Sequence, residues 1–214
     1  METIQPILSV PYYAQFEDVE HIVQYINGTM ALVDDPLWQR SGADSPEDYA
    51  YWAKRACGMV CVKICIEAFN GPTLPLQSWI QHGLNVNAYL TEKRSNNTLI
   101  EKGWLHAGLA KVMQAEGLAT YVEAASLDAI ANTLRRGYLV IASVSYELGT
   151  DQEITQQGGH LVVITGMVTD EDEIQSVLIH NPSGRTIKLR ENAEIPVERF
   201  QQAFSGRVII VGKP

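Results

Sequence analysis

The stretch Arg55-Ala56-Cys57-Gly58-Met59-Val60-Cys61-Val62-Lys63-Ile64-Cys65-Ile66 constrains this chain more than any other. Its apolar residues continue to Phe69 and stop at Asn70-Gly71-Pro72, the pattern of a buried helix with a defined C-terminal end. Cys57 falls at the start of that helix. The N–H groups of a first helical turn have no partner inside the helix, and the helix dipole adds partial positive charge there. A thiol at that end is therefore expected to ionise more easily. Gly58 leaves room beside it for a substrate backbone. On this stretch alone two readings stand: Cys57 is a nucleophile, or it is one of three buried core cysteines, since free Cys packs as a small apolar residue.

Taken in order, the chain opens with a short β-like run, Ile7 to Gln15, punctuated by Pro11. Ser45-Pro46-Glu47-Asp48 carries helix-start chemistry, so a short helix near 46–53 delivers the chain to Cys57. A further helix is expected over Leu76–Gln81, ending at His82-Gly83, and the polar run from Thr91 to Asn97 is expected to be a surface loop. From Ile100, apolar residues at Leu105, Leu109, Val112 and Met113 recur at helical spacing until Gly117, and Ser126 caps another helix that Gly137 stops. Strands then dominate: 138–144, 161–164, 176–179, 186–189 and 207–211, with an acidic hairpin turn at 170–173 and a helix at 197–204. Helices first and strands later imply an α+β fold with an antiparallel sheet. The expected organisation is one domain over 1–214, with a helical lobe at about 16–136 and a β-rich lobe at about 137–214.

The charge balance of 25 acidic against 16 basic residues argues against a nucleic-acid backbone as the main partner. The first seven residues lack a basic region leading into an apolar core, and no run approaches a membrane span, so a soluble cytoplasmic protein is expected. Three cysteines at 57, 61 and 65 cannot form a disulfide framework. A metal or iron–sulfur site on them is set aside because such clusters draw their sulfurs from loops at closer, mixed spacings and no fourth ligand is evident. No cofactor is expected, and Cys61 and Cys65 are assigned to the core.

Among the five histidines, His160 is singled out because Gly158-Gly159 precede it and an apolar strand follows. Two glycines let the backbone turn sharply, and the first residue of a strand projects from a rigid edge, where a general base belongs. A strand-capping His after a surface turn is the competing reading. Asn181, in His180-Asn181-Pro182, stands where it could hold an imidazole tautomer, or could simply mark a turn.

Together these pieces resemble the papain-like cysteine peptidases, and more narrowly stand-alone relatives of the bacteriocin-processing peptidases that cut after a double-glycine leader. The resemblance rests on Val10-Pro11-Tyr12-Tyr13-Ala14-Gln15, Ala56-Cys57-Gly58, Gly159-His160-Leu161-Val162-Val163-Ile164 and Asn181-Pro182, in the family's order of Gln, Cys, His and Asn. It implies a papain-like fold with the catalytic Cys at a helix N-terminus packed on a C-terminal antiparallel sheet. It also implies Cys57 as nucleophile, His160 as base, Asn181 as imidazole orienter and Gln15 as side-chain oxyanion donor beside the Cys57 N–H. The activity implied is thiol-dependent hydrolysis of a peptide or amide bond, with a peptide or protein as partner. Alternatives are a papain-fold amidase or acyltransferase, which differs only in what attacks the thioester, and an inactive peptidase-like binding domain.

The chain departs from the family in three places. Residues 16–55 separate Gln15 from Cys57 as an insertion where the family has only a few residues, Met59 replaces a frequent proline, and Asn181 stands where the nearer relatives more often carry Asp.

Overall fold

The computed structural model describes residues 1–93 and 99–214. After a short strand β1 (Glu2–Ile4), the chain builds α1 (Ile22–Asn27), two 3-10 turns and α2 (Pro46–Ala53). The Ser45 hydroxyl accepts from the Asp48 N–H at 3.1 Å and Pro46 takes the first helical position, so α2 starts where the local chemistry requires. Phe16, Ile22, Tyr25, Leu32, Tyr49 and Ala53 give residues 16–55 a small core of their own. The long helix α3 (Cys57–Asn70) follows and ends on Gly71, whose φ of 84° with ψ of −177° is a conformation essentially confined to glycine. Then come α4 (Leu76–Asn85), an antiparallel hairpin of β2 (Tyr89–Lys93) and β3 (Leu99–Trp104), and α5 (His106–Ala115). The remainder is β4 (Ala119–Ala124), α6 (Leu127–Arg135), β5 (Leu139–Ser145), β6 (Gly159–Asp170), β7 (Glu173–His180), β8 (Ala193–Pro196), α7 (Val197–Ala203) and β9 (Phe204–Gly212).

Among the described residues one seven-stranded sheet runs β4-β9-β5-β6-β7-β8, with β1 added along the far half of β6, and every pairing in it is antiparallel. This is an α+β fold in which α3 packs against the sheet. The continuous apolar run of β5 serves both faces of that sheet. Leu139 and Ile141 join the cluster that holds α3 and α5, while Val140, Ala142 and Val144 join the cluster that holds α6 and α7. Each fully buried aliphatic side chain contributes about 1.5–3 kcal/mol, so covering both faces anchors the sheet that carries the site. Among the described residues no helix is long and apolar enough to cross a membrane.

Five expectations need correction. The run Ile7–Gln15 is not a strand. It has no regular secondary structure and is tied to the turn after β7, with the Gln15 N–H donating to the Pro182 carbonyl at 2.9 Å. The run at 186–189 is a 3-10 turn over Ile187–Leu189, because the chain folds back so closely that a Cβ on Gly184 would lie 1.9 Å from the Leu189 oxygen. Thr91–Lys93 belongs to β2 rather than a loop, and the rest of that expected loop, 94–97, lies outside the described residues. The helix from Leu76 continues through His82-Gly83 to Asn85, and Gly83 marks the close approach of the Trp104 ring rather than a helix end. Ile100 lies in β3, so α5 begins only at His106. The strands β1, β4 and β8 were not anticipated. The burial pattern of β4 is half-exposed to exposed along its length, so it has no apolar face to mark it.

Candidate active site

Cys57 is the first residue of α3 and is half-buried. No side chain caps this helix end, so the first-turn N–H groups remain available near the thiol. Burial nevertheless pushes the thiol above its ordinary pKa, against the opposing pull of the Leu161, Gly58 and Cys57 backbone N–H groups. The helix end acts in the predicted direction, and desolvation acts against it. The Leu161 N–H comes from β6, one residue past His160, so the strand that carries the candidate base touches the helix that carries the thiol. Gly58 is also not open to a substrate, because the Trp104 side chain fills the space beside it. Trp104 is held there by its indole N–H, which donates to the Arg55 carbonyl at 2.7 Å.

His160 follows Gly158 and Gly159, whose φ values of 76° and 92° lie in the region that glycine tolerates. Its Nε2 lies 2.9 Å from Asn181 Oδ1 and 3.2 Å from Ser183 Oγ. The Ser183 backbone N–H donates to the same Asn181 oxygen at 3.1 Å, which fixes the amide orientation, since the flipped amide would set donor against donor. Asn181 Oδ1 can only accept, so the neutral His160 ring carries its proton on Nε2 and leaves Nδ1 as a lone pair. Nδ1 makes no hydrogen bond among the described residues. Burial holds His160 below its ordinary pKa, partly offset by the bond to Asn181.

Asn181 is fully buried, and its backbone is bonded at both ends: its N–H donates to the Arg190 carbonyl at 2.8 Å and its carbonyl accepts the Tyr12 hydroxyl at 3.1 Å. His180 is engaged on both ring nitrogens. Nε2 lies 3.1 Å from the Val10 carbonyl and Nδ1 accepts the Asn192 N–H at 3.0 Å, so this ring ties the N-terminal segment to the sheet. Of the remaining histidines, His21 pairs with Asp18 and His82 packs edge-on against Trp79. Cys61 and Cys65 are fully buried within the α3 core.

Gln15 is buried, and its Oε1 has no hydrogen-bond partner. Its backbone bond to Pro182 brings it against the turn that also holds Asn181 and Ser183. Cys57 and His160 line one cavity of about 330 Å³ together with Trp104, Ser143, Leu161 and Arg207, and Gln15 is not among its walls. Ser183 and Trp104 were not anticipated. Ser183 had a readable signal: an Asn accepting from the N–H two residues on is the Asx turn that Asn-Pro-Ser-Gly favours. Trp104 had none, because only the packed structure brings β3 to the start of α3.

No protein-family model matches this chain, and no curated protein matches it. Solved structures do. The peptidase domain of Streptococcus ComA, a bifunctional ABC transporter involved in a quorum-sensing pathway, superposes with a TM-score of 0.51 at 16% identity, over 75% of this chain and 93% of that one. This chain shares the fold of that peptidase domain. A double-glycine-motif protease from an AMS/PCAT transporter, solved with its leader peptide, aligns at 14% identity and a TM-score of 0.48, over 74% of this chain and 84% of that one. A peptidase C39-like domain from Vibrio parahaemolyticus aligns at 18% identity and a TM-score of 0.35, over 50% of this chain and 69% of that one. At 16% identity the fold alone is what this chain shares with the ComA peptidase domain, and the chemistry is argued from this chain's own residues.

Proposed function

We propose that this chain is a single peptidase-fold domain, with 16–55 as an insertion, that hydrolyses a peptide or amide bond through a thioester on Cys57. His160 Nδ1 takes the thiol proton as Cys57 Sγ attacks the carbonyl carbon. The tetrahedral oxyanion is held by the Cys57 N–H and the Gln15 side-chain amide, and its collapse expels the amine, which leaves with the proton from His160. Water then attacks the thioester with His160 again as base, releasing the acid and restoring the thiol. Asn181 and Ser183 act through His160 as positioning residues. The observation that carries this reading is the His160 tautomer: Asn181 and Ser183 occupy Nε2 and leave Nδ1 unprotonated in a ring that lines the same cavity as Cys57.

The deciding experiment is incubation of the native protein with a peptidyl epoxide directed at cysteine peptidases, followed by intact mass and peptide mapping. One adduct on Cys57, strongly slowed in His160→Ala, is expected. Modification of Cys61 or Cys65 in its place, or none at all, overturns the assignment.

A further inference from the structure

The protein carries 25 acidic against 16 basic residues. The cavity that holds Cys57 and His160 inverts that balance: four cations line it, Lys54, Arg55, Lys102 and Arg207, against a single acid, Glu101. Arg55 Nε and Glu101 Oε2 pair at 2.7 Å and neutralise one another. Lys102 meets Glu92 at 3.2 Å across the β2–β3 hairpin, an exposed contact of small energy. Lys54 and Arg207 have no acidic partner among the described residues, and the sequence from 93 to 99 contains no Asp or Glu.

These two cations come from different parts of the fold. Lys54 follows α2, three residues before the candidate nucleophile, and Arg207 lies on β9. The positive field of Arg207 is felt inside the cavity, because His106, which lines it too, is held below its ordinary pKa first by burial and then by Arg207. A protein of net charge −9 repels anions in general, so two uncompensated cations lining the same cleft as the thiol are a local exception that favours one kind of ligand.

We propose that this cleft selects substrates bearing a carboxylate next to the scissile bond, with Lys54 and Arg207 as the specificity-determining residues. The proposal rests on the reading of Cys57 as the nucleophile. A carboxylate there neutralises charges that have no partner within the protein, and an uncharged or basic residue does not. Its source is either an Asp or Glu side chain or a free peptide C-terminus.

Iodoacetate and iodoacetamide provide the test. Both form the same S–C bond with loss of iodide, and they differ in a single negative charge. The measured quantity is the ratio of their alkylation rates at Cys57, divided by the same ratio for N-acetylcysteine amide at the same pH. It is expected to exceed one and to decline with added salt. It should fall about two- to threefold in Lys54→Gln and similarly in Arg207→Gln, the size of a Coulomb attraction over several ångströms in a solvent-facing cleft. A ratio at or below one, or one that neither substitution lowers, overturns carboxylate selection while iodoacetamide labelling of Cys57 still supports the nucleophile. Failure of both reagents to modify Cys57 in the folded protein overturns both readings. The two sources are separated by protection of Cys57 from iodoacetamide. Protection by acetyl-Ala-Glu-Gly-Ala-amide assigns the side chain, and protection by acetyl-Ala-Gln-Gly-Ala with a free C-terminus assigns the chain end. Protection by neither beyond that given by acetyl-Ala-Gln-Gly-Ala-amide overturns the proposal.

Discussion

Gly58 and Trp104 lie so close that a Cβ on Gly58 would stand 3.0 Å from three carbon atoms of the Trp104 side chain. Trp104 cannot yield easily. Its indole N–H is bonded to Arg55, and Trp52 and Tyr89 pack on it with ring centroids 6.0 and 4.9 Å away. Gly58→Ala gains helix propensity of about 1 kcal/mol but overpacks a braced contact at a cost of about 1–3 kcal/mol. A net loss near 1 kcal/mol in urea unfolding is expected, along with slower alkylation of the displaced Cys57. A variant as stable as the parent would show that the contact relaxes freely.

The opposite pKa shifts of Cys57 and His160 predict a neutral thiol beside a neutral imidazole at rest. The alkylation rate of Cys57 should therefore keep rising with pH into the alkaline range as thiolate forms. Asn181→Asp places a carboxylate where it accepts the same two hydrogen bonds and stabilises an imidazolium. That raises the His160 pKa and lets a thiolate–imidazolium pair form at lower pH. The variant should be alkylated faster below pH 7. A parent profile already level in mild acid would contradict the neutral pair.

Among the groups that make stability depend on pH, His180 and Glu17 act in opposite directions. Burial depresses the His180 pKa in the fold, so its contribution is present above about pH 6.5, the unfolded value, and is lost as pH falls toward and through the folded value. Glu17 runs the other way. Burial first, and Asp35 second, raise its pKa to about 7, so its contribution is present in acid and lost as pH rises through about 7. Glu17→Gln should remove that loss and raise stability at pH 8 on the order of 1 kcal/mol, after allowance for solvent screening at a partly exposed site. Urea midpoints at pH 5 and 8 for the parent, Glu17→Gln and His180→Gln separate the two. A Glu17→Gln midpoint that shifts equally at both pH values would remove Glu17 from the account.

The sequence allowed the elements around Cys57 and His160 to be read because each carries its own local signal. Ser45-Pro46 starts α2, Gly71 stops α3, and Gly158-Gly159 introduce β6. What stayed hidden depends on contacts between distant residues. The Pro182 carbonyl ties down the segment Ile7–Gln15, and the Trp104 ring packs where a Gly83 side chain would stand, so that glycine marks a close contact inside α4 rather than its end. The sign of the Cys57 shift belongs to the same class. The helix end can be read from sequence, whereas the desolvation that acts against it arises only when β6 and β3 close around the thiol.

Gln15 offers the sharpest separation of chemical roles. It is buried, its N–H is fixed to the Pro182 carbonyl at 2.9 Å, and Tyr12 and Val10 just before it are bonded to Asn181 and His180. The segment that carries it is therefore braced against the residues that orient His160, while its own Oε1 has no partner. The unpaired Oε1 is an acceptor and cannot itself hold an oxyanion; the Nε2 N–H groups of the same amide are the donors that role needs. Thioester formation passes through an oxyanion and alkylation does not. Gln15→Ala should therefore lower peptide turnover by about 10²–10³, the scale for one lost oxyanion donor, with far less effect on iodoacetamide alkylation of Cys57. Gln15→Glu should be at least as damaging to turnover, because it sets negative charge beside the developing oxyanion. Turnover at parental rates in both variants would assign the second donor elsewhere, and an equal fall in turnover and alkylation would mark Gln15 as a support for the Cys57 helix.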